Sequence, residues 1–368
     1  MEKKARLLSL DVLRGFDMFF VMGGSGLMVK MAVAFGWGAD GAFASQFRHA
    51  AWNGFHFEDT IFPLFLFIAG VAFPFSLAKQ RERGATAGAV LLKALRRVLT
   101  LFVLGLVVNG LFKLDFAHLR YFNVLGRIGL AWFLAASVRT LFGTRTCVVA
   151  AVGLVAVHAL ATLFLVAPDF PDASPLSAEG NIGCWLDRRL FAGHLYKPLF
   201  DPEGCFGVLT ATATALLGVL AGDFVRTEDG GTSGIRRVVC MAIGGVVLAF
   251  AGLALSAVIP LNKALWSSSF TLVAGGYSLV MFALFHWLID VRQRTRGTFF
   301  FKVIGMNAIT IYMVKRMVDF NFTGRYFLCG VLDRLQPDMA AFVLQVAYVV
   351  IGWLLLWFLF RKNIFLKV

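Results

Sequence analysis

Charge is what this sequence has least of. Asp, Glu, Lys and Arg make up 15% of its 368 residues, against about 25% in ordinary soluble domains. Hydrophobic residues make up 59%, and mean hydropathy is +0.78. With so few groups able to face water, a soluble fold is excluded, and the solvent of most of the chain is lipid. Acidic residues are scarcer than basic ones, 21 against 35, which leaves a formal charge of +14. The basic residues sit in short clusters between apolar stretches. Membrane proteins distribute Lys and Arg in this way, and the pattern argues against nucleic-acid binding. Cysteine is sparse too: Cys147, Cys184, Cys205, Cys240 and Cys329 form no CxxC and no metal-ligand spacing, so no metal is expected. Cys184 and Cys205 flank one loop and are the pair able to form a disulfide in an oxidising compartment. The phosphate-cradling GxxxxGK[ST], HExxH and GxSxG are all missing, so any nucleotide-bearing cofactor depends on scattered Arg and Lys.

What is present is a series of ten apolar stretches, near residues 12–34, 59–79, 98–112, 122–142, 147–167, 204–225, 238–258, 265–289, 299–319 and 340–360. A spanning helix takes about 20 such residues. The chain therefore reads as an all-α, polytopic helical bundle, one membrane domain over 1–368. The third stretch is short and extends back toward Val90; a patch at 322–335 is too short to span. The basic N-terminus precedes a stretch holding Asp11, Arg14 and Asp17, which marks a retained first helix rather than a cleaved signal. With ten spans, 21 basic residues fall on the side of the termini and 11 on the other, so both termini are expected in the cytoplasm. The turn at His49 and the long loop 168–203 then face outward. That loop carries Trp185, His194 and Tyr196, which favours a folded lid over a floppy linker.

The chemically capable groups cluster in the turn Arg48-His49-Ala50-Ala51-Trp52-Asn53-Gly54, followed by Glu58-Asp59. Histidine near neutral pH can take a proton from a nucleophile or attack a thioester itself. A carboxylate from Asp59, or more weakly Glu58, could orient the ring; the bland alternative is an interfacial histidine ahead of an acidic helix start. Asn53 is a candidate donor to an acceptor or developing oxyanion. Arg14 pairs with Asp11 at helical spacing or faces a cavity for an anionic ligand. Arg127 near a span end and Asn307 inside a span are costly in lipid. Asn262 and Lys263 belong either to an outward polar mouth or to a tight turn.

These residues fall in an ordered series of motifs: Arg6-Leu-Leu-Ser-Leu-Asp-Val-Leu-Arg-Gly15; His49-Ala-Ala-Trp-Asn-Gly54 with Asp59-Thr-Ile-Phe-Pro63 and Phe67-Ile-Ala-Gly70; Val124-Leu-Gly-Arg-Ile-Gly129; His194-Leu-Tyr196 with Phe200-Asp-Pro-Glu-Gly204; Ile259-Pro-Leu-Asn-Lys263 with Leu265-Trp-Ser267; Gly305-Met-Asn307; and Arg361-Lys-Asn-Ile-Phe365. In this order the chain resembles the heparan-α-glucosaminide N-acetyltransferase family of integral-membrane acyltransferases, especially its shorter bacterial-type members. The first motif alone is shared with broader membrane acyltransferases.

The resemblance implies transfer of acetyl from cytoplasmic acetyl-CoA to an amino sugar on the far side, with the family's active histidine at His49, acting as base or as acetyl carrier. Arg14, Arg96 and Arg97 are then candidates for the CoA phosphates by charge and depth, and Asn307 for the channel between the faces. Arg127, Asn262, Lys263 and Lys315 are candidates for the acceptor.

Two departures touch the acceptor side. The lysosomal members' Asn at the outer part of the first span is replaced within Phe20-Val21-Met22-Gly23-Gly24, and their His after Gly-Met-Asn is replaced by Lys315. The large luminal domain of the lysosomal members also has no counterpart, which implies a bacterial inner-membrane setting. The partners so implied are a small-molecule amino sugar or glycan and the lipid bilayer, with a homodimer open. Two rival functions stand beside this one: a multi-span transporter or exporter of a sugar without acyl chemistry, and an O-acetyltransferase of a lipid-linked or cell-wall sugar. A transporter often carries internal pseudo-symmetry, and none is legible here.

Overall fold

The computed structural model describes residues 7–226 and 234–366, and these residues are all-helical apart from one isolated bridge, Val166 to Asn181. Lys3, Lys4, Arg6 and Lys367, which enter the charge argument, lie outside the described residues. In order, the helices are α1 (Leu8–Phe19), α2 (Ser25–Ala34), α3 (Ala42–Ser45), α4 (Phe57–Glu82), α5 (Ala87–Val108), α6 (Val124–Phe142), α7 (Thr144–Phe164), α8 (Ile182–Leu190), α9 (Val208–Arg226), α10 (Gly234–Leu255), α11 (Ser268–Phe285), α12 (Thr298–Met306), α13 (Ala308–Met317), α14 (Phe320–Leu332) and α15 (Pro337–Arg361).

Among the described residues, eight helical segments are long and apolar enough to cross a membrane. The two remaining apolar stretches differ from that description for physical reasons. The third is α5, a full 22 residues that begins at Ala87 and carries Lys93, Arg96 and Arg97 in its first half. The ninth is two short helices, α12 and α13, separated at Asn307, whose φ of −123° and ψ of 30° leave helical geometry. The short patch after it is α14, 13 residues capped by Asp319. Val149, Val152 and Phe164 on α7, Val247 and Phe250 on α10, and Leu354 and Phe358 on α15 are exposed. Apolar outer faces on helices with internally satisfied backbones suit a hydrocarbon solvent.

The chain divides into two compact units. Met1–Ala50, His56–Ile61 and Leu284–Lys367 make the first, and Ala51–Phe55 with Phe62–Ala283 make the second. In the first, α1 packs on α12, and α15 packs on α2 and α14. Gly15 and Gly305 form the crossing of α1 and α12: a Cβ on Gly15 would strike the Phe301 carbonyl, and one on Gly305 the Asp11 carbonyl. The N-terminal end of α1 is tied by Asp290, which accepts from the Ser9 hydroxyl and lies 2.8 Å from His286 Nδ1.

In the second unit, α9 packs against α6 and α7, and α5 against α6. Its core holds Phe62, Leu66, Phe73, Trp132, Trp266 and Phe270. The Trp132 indole donates to the Ala69 carbonyl at 3.1 Å, satisfying a polar group that burial would otherwise penalise. His158 is likewise structural, 3.2 Å from Ser268 Oγ and stacked on Phe206. Residues 168–203 form an ordered, loop-rich segment around α8. Arg188 holds it by bonding Asp169 and the carbonyls of Ala178, Glu179 and Leu199.

Candidate active site

The turn that carries His49 is fastened to the start of α4. Gln46 takes two of the amides that a helix start leaves without partners: its carbonyl accepts from Glu58 N at 2.9 Å and its Oε1 from Phe57 N at 3.2 Å. Beneath the turn, Phe57 meets Phe20 edge-on at 4.7 Å and Phe47 at 5.5 Å. His49 Nδ1 lies 2.9 Å from Asp59 Oδ1. The other carboxylate oxygen, Oδ2, accepts from His56 N at 3.1 Å and Ala50 N at 3.5 Å. The Asp59 side chain is fully buried while that of His49 is 57% exposed. A carboxylate on Nδ1 places the proton there and leaves Nε2 as the accessible basic nitrogen. Pro63, four residues after Asp59, has no N–H to offer the helix at that position.

Glu58, the neighbouring acid, turns elsewhere and accepts from the Ser25 hydroxyl on α2. Of the two acids the sequence offers beside His49, the structure brings Asp59 to the ring. Lys315 is also in this unit, donating from Nζ to the Val21 carbonyl at 2.6 Å. Asn307 is buried, and neither of its amide atoms has a hydrogen-bond partner among the described residues. Arg14 lies 3.4 Å from Asp11, the i,i+3 pairing its spacing allows.

The remaining candidates belong to the second unit. Asn53 Oδ1 accepts from Asn262 Nδ2 at 3.2 Å, and Gly54 N donates to the Leu261 carbonyl at 2.8 Å. Asn262, buried, also accepts from Leu265 N, and Lys263 follows it in this turn. Trp52 donates to the Leu176 carbonyl and meets Phe200 at 4.9 Å. Arg127 is buried with its guanidinium over Trp266, donating to the Pro202 and Gly204 carbonyls at 2.8 Å each. It thus anchors the loop entering α9. Arg96 is exposed on α5, and Arg97 lies over Trp132 at 4.4 Å.

Residues 6–182 match the profile of the family described as heparan-alpha-glucosaminide N-acetyltransferase, catalytic. Over that segment, just under half of its length, the chain is similar to this family. The human protein named heparan-alpha-glucosaminide N-acetyltransferase is 25% identical over 415 residues, covering 99% of this chain and 60% of the relative. The mouse protein of the same name is 24% identical over 420 residues, covering 100% of this chain and 62% of the relative. The chain thus spans about three fifths of the length of the curated relatives it matches. The family match includes His49, Asp59 and Arg127 and ends before Asn262, Asn307 and Lys315.

Several polar groups escaped the sequence reading. Ser25 and Gln345 look like ordinary packing residues, although Gly23-Gly24-Ser25-Gly26 inside an apolar stretch is a breaker signal. Asp187 gave no signal. It is buried in α8, and its Oδ1 accepts from Cys205 N at 2.9 Å. Burial pushes its carboxyl up to about 7, against the opposing effects of that hydrogen bond and of Arg127. Cys184 and Cys205 are free thiols, pushed up by burial to about 12 and about 11.

A raised folded-state pKa for an acid costs stability as pH rises from the ordinary carboxylate range, about 4, through the folded value. Asp187→Asn is therefore expected to gain in melting temperature relative to the parent between pH 4 and pH 8. Thermal unfolding in detergent across that range checks it, and a pH-independent difference would refute it.

Proposed function

We propose that the protein is a membrane acetyltransferase that transfers acetyl from acetyl-CoA to the amine of a glucosamine-like sugar. The exposed His49 ring held by buried Asp59 is the observation that carries this reading, and the similarity of residues 6–182 to the acetyltransferase family supports it. In direct transfer, the acceptor nitrogen attacks the thioester carbonyl while His49 Nε2 removes its proton, and the CoA thiolate leaves. In the two-step alternative, Nε2 attacks first and carries the acetyl group. Asp59 holds the ring and stabilises the imidazolium in either route. The cationic face of α5, with Arg96 and Arg97, is where the CoA phosphates would bind, since guanidinium forks match phosphate oxygens. Arg14, already beside Asp11, is the weaker candidate. Asn53 and Asn262 fix the turn that follows His49 in the chain. Ten spans, cytoplasmic termini, an outward acceptor side and a bacterial inner membrane complete the proposal.

The test is purified protein in liposomes with acetyl-labelled CoA and a panel of amino sugars. Label should pass to an amino sugar, and His49→Ala should lower the rate at least about 10³-fold while remaining monodisperse. Solute flux without consumption of acetyl-CoA would overturn the reading in favour of a transporter.

A further inference from the structure

The first apolar stretch is not one helix. Between α1 and α2, residues Phe20–Gly24 form a widened π-helical turn, with Gly23 at φ 147°, a conformation side-chain-bearing residues rarely adopt. Such a turn misaligns backbone carbonyls, and two of them are taken by side chains from other helices. Lys315 Nζ of α13 bonds the Val21 carbonyl, and Gln345 Nε2 of α15 bonds the Gly23 carbonyl at 3.0 Å. Gln345 Oε1 in turn accepts from Lys30 Nζ at 2.8 Å. The break is therefore held open by named groups in a low-dielectric setting, where an unpaired carbonyl is costly.

Just past the break stands Ser25, whose hydroxyl bonds Glu58, the residue before Asp59. Asp17 on α1 and Lys315 on α13 both lie within electrostatic range of Glu58, and Arg316 lies beside Lys315. Asp17 is 1% exposed, and its Oδ2 has no hydrogen-bond partner among the described residues. Lys315 thus lies in electrostatic range of half-buried Glu58, which sits next in sequence to the carboxylate that holds His49. In the geometry of its turn His49 lies 2.9 Å from Asp59, and Arg48 and His56 belong to the same turn, His56 Nδ1 lying 2.9 Å from the Arg48 carbonyl.

We propose that Lys315 and Glu58 form a positioning pair for His49 and Asp59: Lys315 pins the break in the first helix, Ser25 and Glu58 couple that break to the first turn of α4, and the opposite charges of the pair set how readily the His49 ring holds a proton. This rests on His49 being the base of the proposed reaction. In this reading both residues act through Asp59 and His49, as positioning residues. Removing the ammonium makes the local potential more negative and favours imidazolium, and removing the Glu58 charge does the reverse.

The test is the pH profile of kcat/KM for the full-length protein and four variants in liposomes. Lys315→Met should move the acid limb up by about half to one pH unit and Glu58→Gln should move it down by a similar amount, the size a unit charge exerts across a partly dry interior. The double variant should return toward the parent, and Lys315→Arg should keep the parent profile. A merely structural role would lower the rate at every pH without opposite shifts. The pH dependence of His49 carbethoxylation by diethyl pyrocarbonate, mapped by mass spectrometry, gives a second readout that needs no acetyl transfer. If His49→Ala stays active, the base assignment fails while this readout still tests the coupling. Unshifted profiles in both folded single variants would overturn the pair whatever His49→Ala does. If Lys315→Met does not fold, Glu58→Gln and the double variant carry the same test of sign.

Discussion

Asp59→Asn is expected to slow acetyl transfer by about 10²- to 10⁴-fold without unfolding the protein, the scale seen when an orienting carboxylate in a histidine dyad becomes an amide. The shape of the side chain is conserved, so the bonds from His56 N and Ala50 N to Oδ2 have an acceptor in one amide orientation. That orientation presents the amide NH₂ to His49 Nδ1. The ring must then accept at Nδ1 and carry its proton on Nε2, the nitrogen that should be basic. Flipping the amide restores the tautomer but turns two backbone donors onto an NH₂ group. Either arrangement also removes the negative charge that stabilises the imidazolium. Steady-state rates with acetyl-CoA and the best amino-sugar acceptor measure the effect. Activity within about threefold of the parent would show that Asp59 only builds the turn, since triad-type orientation is worth far more.

Gly305→Val is expected to have the largest structural effect. At the α1–α12 crossing the backbones themselves are in contact, and a Cβ on Gly305 would occupy the place of the Asp11 carbonyl oxygen. No rotamer relieves a clash with backbone, so the helices must separate. Overpacking of this kind costs about 3 kcal/mol or more, and a fall in melting temperature of about 5 °C or more should follow in a chain of this size. Activity should fall as well, because α12 leads directly into α13, which carries Lys315 to the break in the first helix. Size-exclusion after graded heating in detergent measures the first effect. A variant as heat-resistant as the parent would mean the crossing has slack that the close approach does not show.

Much of the fold was written in local sequence. The hydrophobic runs, their lengths and their basic flanks specify membrane helices because burying unpaired backbone in lipid leaves few other options. The start of α5 was blurred because Lys93, Arg96 and Arg97 lower the hydropathy of a helix that is otherwise continuous. The ninth stretch reads as one span because composition cannot register a single residue leaving helical φ and ψ at Asn307. The Gly23-Gly24-Ser25-Gly26 interruption was visible, but what fills the break was not: Lys315 and Gln345 are about 300 positions away.

By itself, the sequence determined the all-helical membrane class and singled out His49 as the candidate, since composition and an ionisable residue at an expensive place are local properties. Which acid serves His49 was decided only by the tertiary structure. Glu58 and Asp59 are adjacent, and successive residues of a helix point about 100° apart, so one reaches the ring and the other reaches Ser25. The tertiary structure likewise bound Arg127 to the carbonyls of Pro202 and Gly204 and set Lys315 against the broken first helix. Such pairings depend on where distant helices cross, and a helix crossing is fixed by packing between surfaces that no stretch of sequence contains alone.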